Sequence, residues 1–401
     1  MKKILFFVGE FPSLSETFVL NQIVYMMKSG YDVKVLSVRR DKETILHDNI
    51  KKDDIVKNSH YLFDKYEWSN KSAIFARALI SSITKPKTIK SIIDYGALAF
   101  CSINRFCLVK DEMENFKPDV IISHFGPTGV IAQSIIEVTN EFENTKHIVF
   151  FHGYEMSEYK TFRRYLSKYK RMAEMGAIFI PISYYWMEKL TSNIAFVNSQ
   201  VIRMGVDINL FPFVDKPFIS DNKIKIFSAC RFVEKKGIEY AIKACALLNI
   251  DFIYEIAGSG PLGNDLDELI LSLDLQEKVR LIGPLKSHEV AERIAVSDIY
   301  LLPSITAKNG DMEGIPVALM EAMSSGVVCL STYHSGIPEL IDDAVSGFLV
   351  PEKDEYALSS KILQISKMSQ EEISSIRYNA REKVVNEFNL SIELDKLCTL
   401  L

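Results

Sequence analysis

Short apolar runs alternate with amphipathic stretches along most of the chain. Residues 2–8 form the first apolar run, and Phe18, Ile23 and Met26 then recur at helical spacing before residues 31–38 alternate like a second strand. This order of strand, helix and strand predicts an α/β protein with doubly wound sheets. Further strands are predicted at residues 118–123, 148–151, 177–182, 201–204, 223–229 and 253–257.

Composition narrows the class of protein. The chain has 401 residues, enough for two domains with separate cores, and its apolar share of 48% is typical of globular proteins. A net charge of −5 argues against nucleic-acid binding. The six cysteines form no CxxC pair, and the first apolar run stops at Gly9, too early for an export signal. We expect a cytoplasmic protein, either free in solution or held at a membrane surface.

Residues 298–339 combine the elements of a binding site. An apolar run at residues 299–302 predicts a buried strand, and a polar loop follows at residues 306–314. Pro316 suits the first position of a helix, and Gly326 suits the left-handed position just after its end. A second strand at residues 327–330 completes the unit.

This unit carries groups that a nucleotide diphosphate sugar requires. The helix N-terminus at residues 314–317 offers unpaired N–H groups to an anion. Glu313 and Glu321 supply acceptors for sugar and ribose hydroxyls. The alternative is an ordinary piece of α/β structure with two glutamates at a chance spacing.

Two cations follow the strand at residues 223–229. Arg231 and Lys236 lie at a strand-to-helix turn, where Arg binds a diphosphate as a fork and Lys binds it as a point charge. Basic turns are also common on solvated surfaces. Asp265 and Asp267 form a DxD sequence, but they fall inside a helical pattern, so we predict no metal site.

Two histidines end predicted strands. His124 and His152 follow residues 118–123 and 148–151, and open α/β sheets bind ligands at the carboxyl ends of their strands. A purely structural role is the alternative, especially for His124. Residues 160–171, from Lys160 to Arg171, contain six basic and no acidic residues with interleaved aromatic ones. They predict either a solvated helix face or an amphipathic helix on an anionic membrane or near a diphosphate lipid.

The sequence EGIPVALMEAM, followed by SGIPEL, resembles the donor-sugar signature of the retaining glycosyltransferases grouped as family four. The resemblance covers nearly the whole chain and is strongest over residues 223–350. FPSLSETFV near the start resembles the first loop of members that build bacterial surface polysaccharides. Two departures are the sequence GDME ending at Glu313 and the proline at position 316.

This resemblance implies the GT-B fold, with two Rossmann-like domains facing a central cleft. Residues 1–206 would form the acceptor-side domain and residues 207–385 the nucleotide-sugar domain. Residues 386–401 would form a C-terminal helix that returns to the first domain.

The resemblance also implies roles for single residues. Glu313 and His152 would contact the transferred sugar, and Glu321 would bind the ribose. The diphosphate and nucleotide would be bound by Arg231, Lys236, Gly258, Gly260, Gly314, Ile315, Pro316 and Val317. The acceptor side would include Glu16, His124 and Glu155, although Glu16 also suits a helix cap.

The expected activity is retaining transfer of a hexose-type sugar from a UDP- or GDP-linked donor. The acceptor would be a glycan, lipid-linked, in bacterial surface polysaccharide synthesis at the inner membrane face. Fixed cations would replace a metal ion, so no cofactor is expected. Two alternatives remain, a nucleotide-sugar epimerase of the same fold and a non-catalytic nucleotide-sugar binding subunit.

Overall fold

The computed structural model describes residues 1–12, 17–40, 55, 57–63, 71–82, 86–113, 116–139, 142, 144–219 and 223–401. The strands are β1 (Lys3–Phe11), β2 (Asp32–Arg40), β3 (Ser59–Phe63), β4 (Val120–His124), β5 (Lys146–Phe151), β6 (Ile178–Pro181), β7 (Ile224–Ala229), β8 (Phe252–Ala257), β9 (Val279–Gly283), β10 (Ile299–Leu301), β11 (Val328–Thr332) and β12 (Phe348–Val350).

The helices of the first half are α1 (Thr17–Lys28), α2 (Lys71–Ser82), α3 (Pro86–Tyr95), α4 (Ala97–Val109), α5 (Gly126–Thr139), α6 (Tyr154–Ser157), α7 (Tyr159–Glu174) and α8 (Tyr184–Asn193). Those of the second half are α9 (Ile238–Ala246), α10 (Gly263–Ser272), α11 (Ser287–Val296), α12 (Val317–Ser324), α13 (Ile337–Leu340), α14 (Glu355–Ile365), α15 (Gln370–Glu387) and α16 (Leu390–Leu400). Short 3₁₀ turns occupy Lys110–Met113 and Glu234–Lys236.

The described strands form two parallel six-stranded sheets, which confirms the predicted fold class. The orders are β3-β2-β1-β4-β5-β6 and β12-β11-β10-β7-β8-β9. In each sheet the strand order reverses between two neighbouring strands. These are β1 and β4 in the first sheet and β7 and β10 in the second. In doubly wound sheets ligands bind at the carboxyl end of this reversal point.

Each sheet has its own apolar core. One cluster of buried side chains runs from Ile4 to Met204 and also includes Leu394 and Leu397 of α16. Two further clusters line the second sheet. The Tyr25 hydroxyl of α1 donates to Asp395 of α16 at 2.6 Å, so the last helix contacts the first half of the chain.

Most predicted elements are present, and one strand prediction is wrong. Residues 201–204 are irregular, because the pairing with β6 is an isolated bridge between Phe179 and Ser199 that no ladder extends. Pro316 precedes α12 as its N-cap instead of opening it. Gly326 has φ 74° just after this helix, as predicted. No described helix is long and apolar enough to cross a membrane.

Candidate active site

The loops that follow β7 and β10 lie side by side, because these two strands pair in parallel at the reversal point of the second sheet. The loop after β7 carries Arg231 and Lys236, and the loop after β10 carries Glu313. The fold therefore brings together three of the predicted site residues from positions about 80 apart in the sequence.

A buried ion pair joins the two loops. Lys236 Nζ lies 3.0 Å from Glu313 Oε2, and Lys235 Nζ lies 3.7 Å from Glu313 Oε1. Burial favours the neutral form of both Lys236 and Glu313, but their mutual attraction outweighs it. The pKa of Lys236 is raised and that of Glu313 is lowered, so both are charged at neutral pH.

One oxygen of Glu313 has no hydrogen-bond partner. Glu313 is 7% exposed, and its buried Oε1 accepts no hydrogen bond from the described residues. A buried charged acceptor without a hydrogen bond is costly unless a ligand supplies one. This oxygen can therefore accept a hydrogen bond from a bound ligand.

The backbone of Glu313 is held from both sides by the loop after β11. Its N–H donates to His334 Nε2 at 3.0 Å, and its carbonyl accepts from the Ser335 hydroxyl at 2.7 Å. Because Nε2 accepts, the His334 proton is on Nδ1, which donates to Glu352 at 2.6 Å. Glu352 also accepts from the Thr306 N–H at 2.7 Å. These residues were not predicted to belong to the site.

Arg231 lies two residues beyond β7, and its side chain is exposed. The predicted nucleotide-side glycines support the loop that carries it. A Cβ on Gly258 would come within 1.8 Å of Cys230 O, and one on Gly260 within 2.5 Å of Phe232 O. Both positions therefore require glycine for close backbone packing, whatever ligand lies beside them.

The turn before α12 keeps unpaired donors. The N–H groups of Gly314, Ile315 and Val317 donate no hydrogen bond to the described residues. Such groups at the start of a helix favour an anion. Glu321 follows on α12, where burial raises the pKa of its carboxyl to about 7.

A chain of hydrogen bonds fixes His152 in the first half. Gln22 Oε1 lies 3.1 Å from His124 Nε2, and His124 Nδ1 lies 3.1 Å from His152 Nε2. With the Gln22 oxygen accepting, each histidine carries its proton on Nε2, which leaves His152 Nδ1 as an acceptor. Burial lowers the pKa of His124 to about 3 and that of His152 well below its usual range, so both are neutral.

Three other residues were predicted for the acceptor side. Two of them are buried, and one lies outside the described residues. His124 and Glu155 are fully buried. Glu155 Oε1 accepts from the backbone N–H of His152 at 2.7 Å, and burial raises the pKa of this carboxyl to about 7. Glu16 lies outside the described residues.

The two halves meet directly at the site. A Cβ on Gly314 would lie 2.3 Å from Ile182 Cδ1 and 2.7 Å from His152 O, so the first half packs against this turn. Glu339 of α13 accepts from the backbone N–H groups of Tyr184 and Tyr185 at 3.1 and 2.9 Å. These donors open α8, so a carboxylate of one half caps a helix of the other.

Residues 160–171, predicted as either a solvated helix face or an amphipathic membrane helix, belong to α7. Tyr169 is buried, and Phe162, Tyr165 and Leu166 pack against the first core. The apolar side of α7 is therefore covered by protein, and its outer side is cationic. Among the described residues no three His, Cys, Asp or Glu side chains are grouped to hold a metal ion.

A family model described as glycosyl transferases group 1 matches residues 213–383, which contain the Lys236–Glu313 pair and α12. The amylovoran biosynthesis glycosyltransferase AmsK of Erwinia amylovora is 35% identical over 407 residues, covering 100% of this chain and 99% of that protein. The chain belongs to the glycosyl transferases group 1 family. It is a glycosyltransferase.

A second relative and a solved structure agree with this assignment. The putative colanic acid biosynthesis glycosyltransferase WcaL of Escherichia coli K12 is 35% identical over 419 residues, covering 100% of this chain and 99% of that protein. HepE of Anabaena, solved with UDP and glucose, has a TM-score of 0.75 at 17% identity and covers 100% of this chain and 99% of its own. That likeness shows the fold, which is GT-B.

Proposed function

We propose that this glycosyltransferase moves a hexose-type sugar, with retention of configuration, from a UDP- or GDP-linked donor to a lipid-linked glycan acceptor. The observation that carries the proposal is the buried Glu313 Oε1, an acceptor without a hydrogen bond beside Lys236 at the reversal point of the second sheet. A hydroxyl of the donor sugar satisfies this oxygen. The carboxylate then stabilises positive charge that develops near the anomeric carbon.

The diphosphate is assigned to Arg231, Lys236 and the N–H groups that open α12. Lys236 is already held by Glu313, so it meets the leaving group without further ordering. Fixed cations of this kind neutralise a leaving diphosphate by electrostatic preorganisation. Glu321 takes the ribose hydroxyls.

The acceptor side is assigned to the first half of the chain. His152 presents Nδ1 as an acceptor of fixed orientation, and Glu155 positions it by binding its backbone N–H. Transfer proceeds on the front face of the sugar, and the leaving diphosphate assists deprotonation of the acceptor hydroxyl. Orientation and electrostatics then supply most of the rate.

We assign the acceptor and donor roles to the two halves of the chain, each of which has its own hydrophobic core. Residues 1–206 serve as the acceptor-side domain, residues 207–385 as the donor domain, and residues 386–401 as the returning helix. The cluster that joins residues 4–204 to Leu394 and Leu397 supports these limits. The names of AmsK and WcaL support a role in bacterial exopolysaccharide synthesis. We assign this role to the cytoplasmic face of the membrane on the resemblance of the first loop alone.

The two rival functions are less well supported. AmsK and WcaL, which match the full length of this chain, are both named glycosyltransferases, which favours transfer over epimerisation of the donor. A binding subunit would bind the donor but show neither transfer nor slow hydrolysis of the donor. Incubation of the donor without acceptor separates these cases, because an epimerase alone would convert it.

The test begins with a thermal-shift screen of UDP- and GDP-sugars, since a tight ligand raises the apparent stability. The best donor is then incubated with polyprenyl-diphosphate-linked glycans in excess EDTA. We expect transfer without added metal, and proton NMR of the product should show the anomeric configuration of the donor. An inverted product, or a strict need for Mg²⁺ or Mn²⁺, would contradict the proposal.

A further inference from the structure

Helix α3 buries two small polar side chains and a tyrosine while it exposes two isoleucines. Thr88, Ser91 and Tyr95 are buried, whereas Ile89 is 40% and Ile93 84% exposed. Surface helices of globular proteins normally show the opposite arrangement. Ile89 and Ile93 are four positions apart, so they lie on one face of the helix.

The neighbouring helix α2 extends this apolar surface. Ile80 is 71% and Leu79 39% exposed on α2, which contacts α3. A groove of about 420 Å³ opens beside the start of α3. Its walls combine apolar side chains with lysines, and they include Pro86, Lys87, Ile103, Cys107 and Lys110. The first half of the chain thus exposes isoleucines on two neighbouring helices and has a mixed groove beside the start of α3.

The charged residues in this part of the sequence are basic. Residues 71–93 contain five basic and no acidic residues, in a chain whose net charge is −5. Arg77, Lys87 and Lys90 are exposed on α2 and α3. The next acid, Asp94 of α3, lies 3.6 Å from Arg171, a cation that it shares with Glu137. A partner of this surface must therefore be anionic and must also accept isoleucine side chains.

We propose that the face formed by α2 and α3 docks on the surface of an anionic lipid bilayer. Ile80, Ile89 and Ile93 enter the boundary between headgroups and acyl chains, and Lys87 and Lys90 meet lipid phosphates. Amphipathic helices bind membrane surfaces by this combination of buried apolar area and attraction to anionic lipid.

This surface differs from the basic stretch at residues 160–171. Helix α7 buries its aromatic side chains in the first core, and its Arg171 is bound to Glu137 at 2.8 Å. Helix α7 therefore has positive charge, and its largely exposed apolar side chain is the aromatic Tyr159 at its start, with no exposed isoleucine beside it. The two helices compare positive charge beside exposed isoleucines with positive charge that lacks them.

The experiment is co-flotation of the full chain with phosphatidylcholine vesicles and with vesicles containing about 30% phosphatidylglycerol. We expect the wild type to float with the anionic vesicles only. Ile89→Ser with Ile93→Ser, which leaves the charge unchanged, should lower the partition coefficient at least tenfold. Lys87→Glu with Lys90→Glu should lower it further, since each lysine contributes on the order of fivefold.

Three controls distinguish the outcomes. Arg163→Glu with Lys170→Glu on α7 makes the same change in charge and should weaken flotation less than the α3 reversal. Leu271→Ser, at another exposed apolar position, should have no effect. Circular dichroism melting and nucleotide-sugar thermal shifts should be those of the wild type in every α3 variant, which separates this proposal from the assignment of the active site. Failure of the wild type to float, unchanged flotation of the isoleucine variant, or equal loss from both charge reversals would overturn the proposal.

Discussion

At the scale of single residues, the site depends on a carboxylate that already has a cation but still lacks a ligand. Lys236 and Glu313 neutralise each other in a buried position, and Glu313 Oε1 stays without a hydrogen bond. A diphosphate would share Lys236 with Glu313, and a sugar hydroxyl would complete Oε1. Donor binding and carboxylate orientation are therefore coupled through one lysine.

Lys236→Ala tests this coupling. The variant loses leaving-group stabilisation and leaves Glu313 with only the more distant Lys235. We expect kcat/KM to fall. By analogy with the loss of one oxyanion donor, the fall should correspond to a loss of roughly 2–4 kcal/mol of transition-state stabilisation. Steady-state kinetics with the donor found by the thermal-shift screen measure this loss.

Lys243→Ala is the matched control, because Lys243 pairs with the exposed Glu239 on the surface of α9. It should leave turnover near that of the wild type. If Lys236→Ala behaves like this control, Lys236 does not take part in the reaction.

His334 gives a second prediction, based on the two nitrogens of its ring. The amide of glutamine reaches about as far as Nε2, whereas that of asparagine reaches about as far as Nδ1. His334→Gln can still accept from the Glu313 N–H, but His334→Asn leaves this buried donor unpaired at a cost of about 1–3 kcal/mol. We expect kcat to fall by about tenfold or more in the asparagine variant and to recover in the glutamine variant.

The contrast between the two His334 variants is the informative readout. A purely space-filling role would make them similar, since both replace a ring with a smaller amide. Higher activity in the asparagine variant would show that His334 does not position Glu313 through its backbone.

Only some of these residues were predictable from the sequence. Glu313 and Lys236 belong to recognisable motifs, so their pairing after β7 and β10 follows once both strands are identified. His334 and Glu352 follow different strands and meet only through the order of the sheet. A single sequence has no local pattern that pairs two such loops. The available signal was a histidine shortly after the predicted buried strand at residues 327–330.

At the scale of elements, the parallel sheets were predictable because buried strands leave short apolar runs between helices. The segment at residues 201–204 has the same composition, with Ile202 and Met204 buried, but it lacks a neighbouring strand to pair with. Apolar runs report burial, and pairing depends on the rest of the fold. The contact between α13 and α8 was also not predictable from the sequence, because it joins residues of the two halves that are far apart along the chain.

Glu339→Ala tests that contact between the halves. The variant keeps the Ser183 cap but removes the carboxylate that accepts from the first two N–H groups of α8 and pairs with Arg203 at 3.4 Å. Loss of a capping group is typically worth about 0.5–2 kcal/mol. Because the cap comes from the other half, we expect part of this loss to appear as a more open molecule. Small-angle scattering should show a larger radius of gyration, and donor KM should rise by about two- to fivefold.

Glu188→Ala is the control for this prediction, since Glu188 is exposed on α8 itself. It should change neither the radius nor KM. A Glu339→Ala variant with an unchanged radius and unchanged donor KM would show that this cap does not hold the halves together.

At the scale of the whole molecule, each half contains a carboxyl whose pKa is raised by desolvation to about 7. These are Glu155 in the first half and Glu321 in the second. An unfolded glutamate releases its proton near 4.5, whereas the folded one keeps it until about 7. Between these values the folded state binds more protons, so this contribution to stability falls as pH rises.

Glu155→Gln should therefore change stability in a pH-dependent way. At pH 5 the wild-type carboxyl is neutral and resembles the amide, but at pH 8 it is charged in a buried site. We expect the variant to gain on the order of 2–3 kcal/mol relative to the wild type between these pH values. Urea unfolding at pH 5 and pH 8 measures the difference, with the exposed Glu268→Gln as a control. A difference that is the same at both pH values would contradict the assigned shift.

The most direct test of the central claim is a crystal structure of the protein with its tightest nucleotide sugar, grown in EDTA. The account predicts a diphosphate within hydrogen-bond distance of Arg231, Lys236 and the N–H groups at residues 314–317, with a sugar hydroxyl on Glu313 Oε1. A diphosphate bound away from Lys236 and the start of α12, with Glu313 Oε1 still unpartnered, would contradict it.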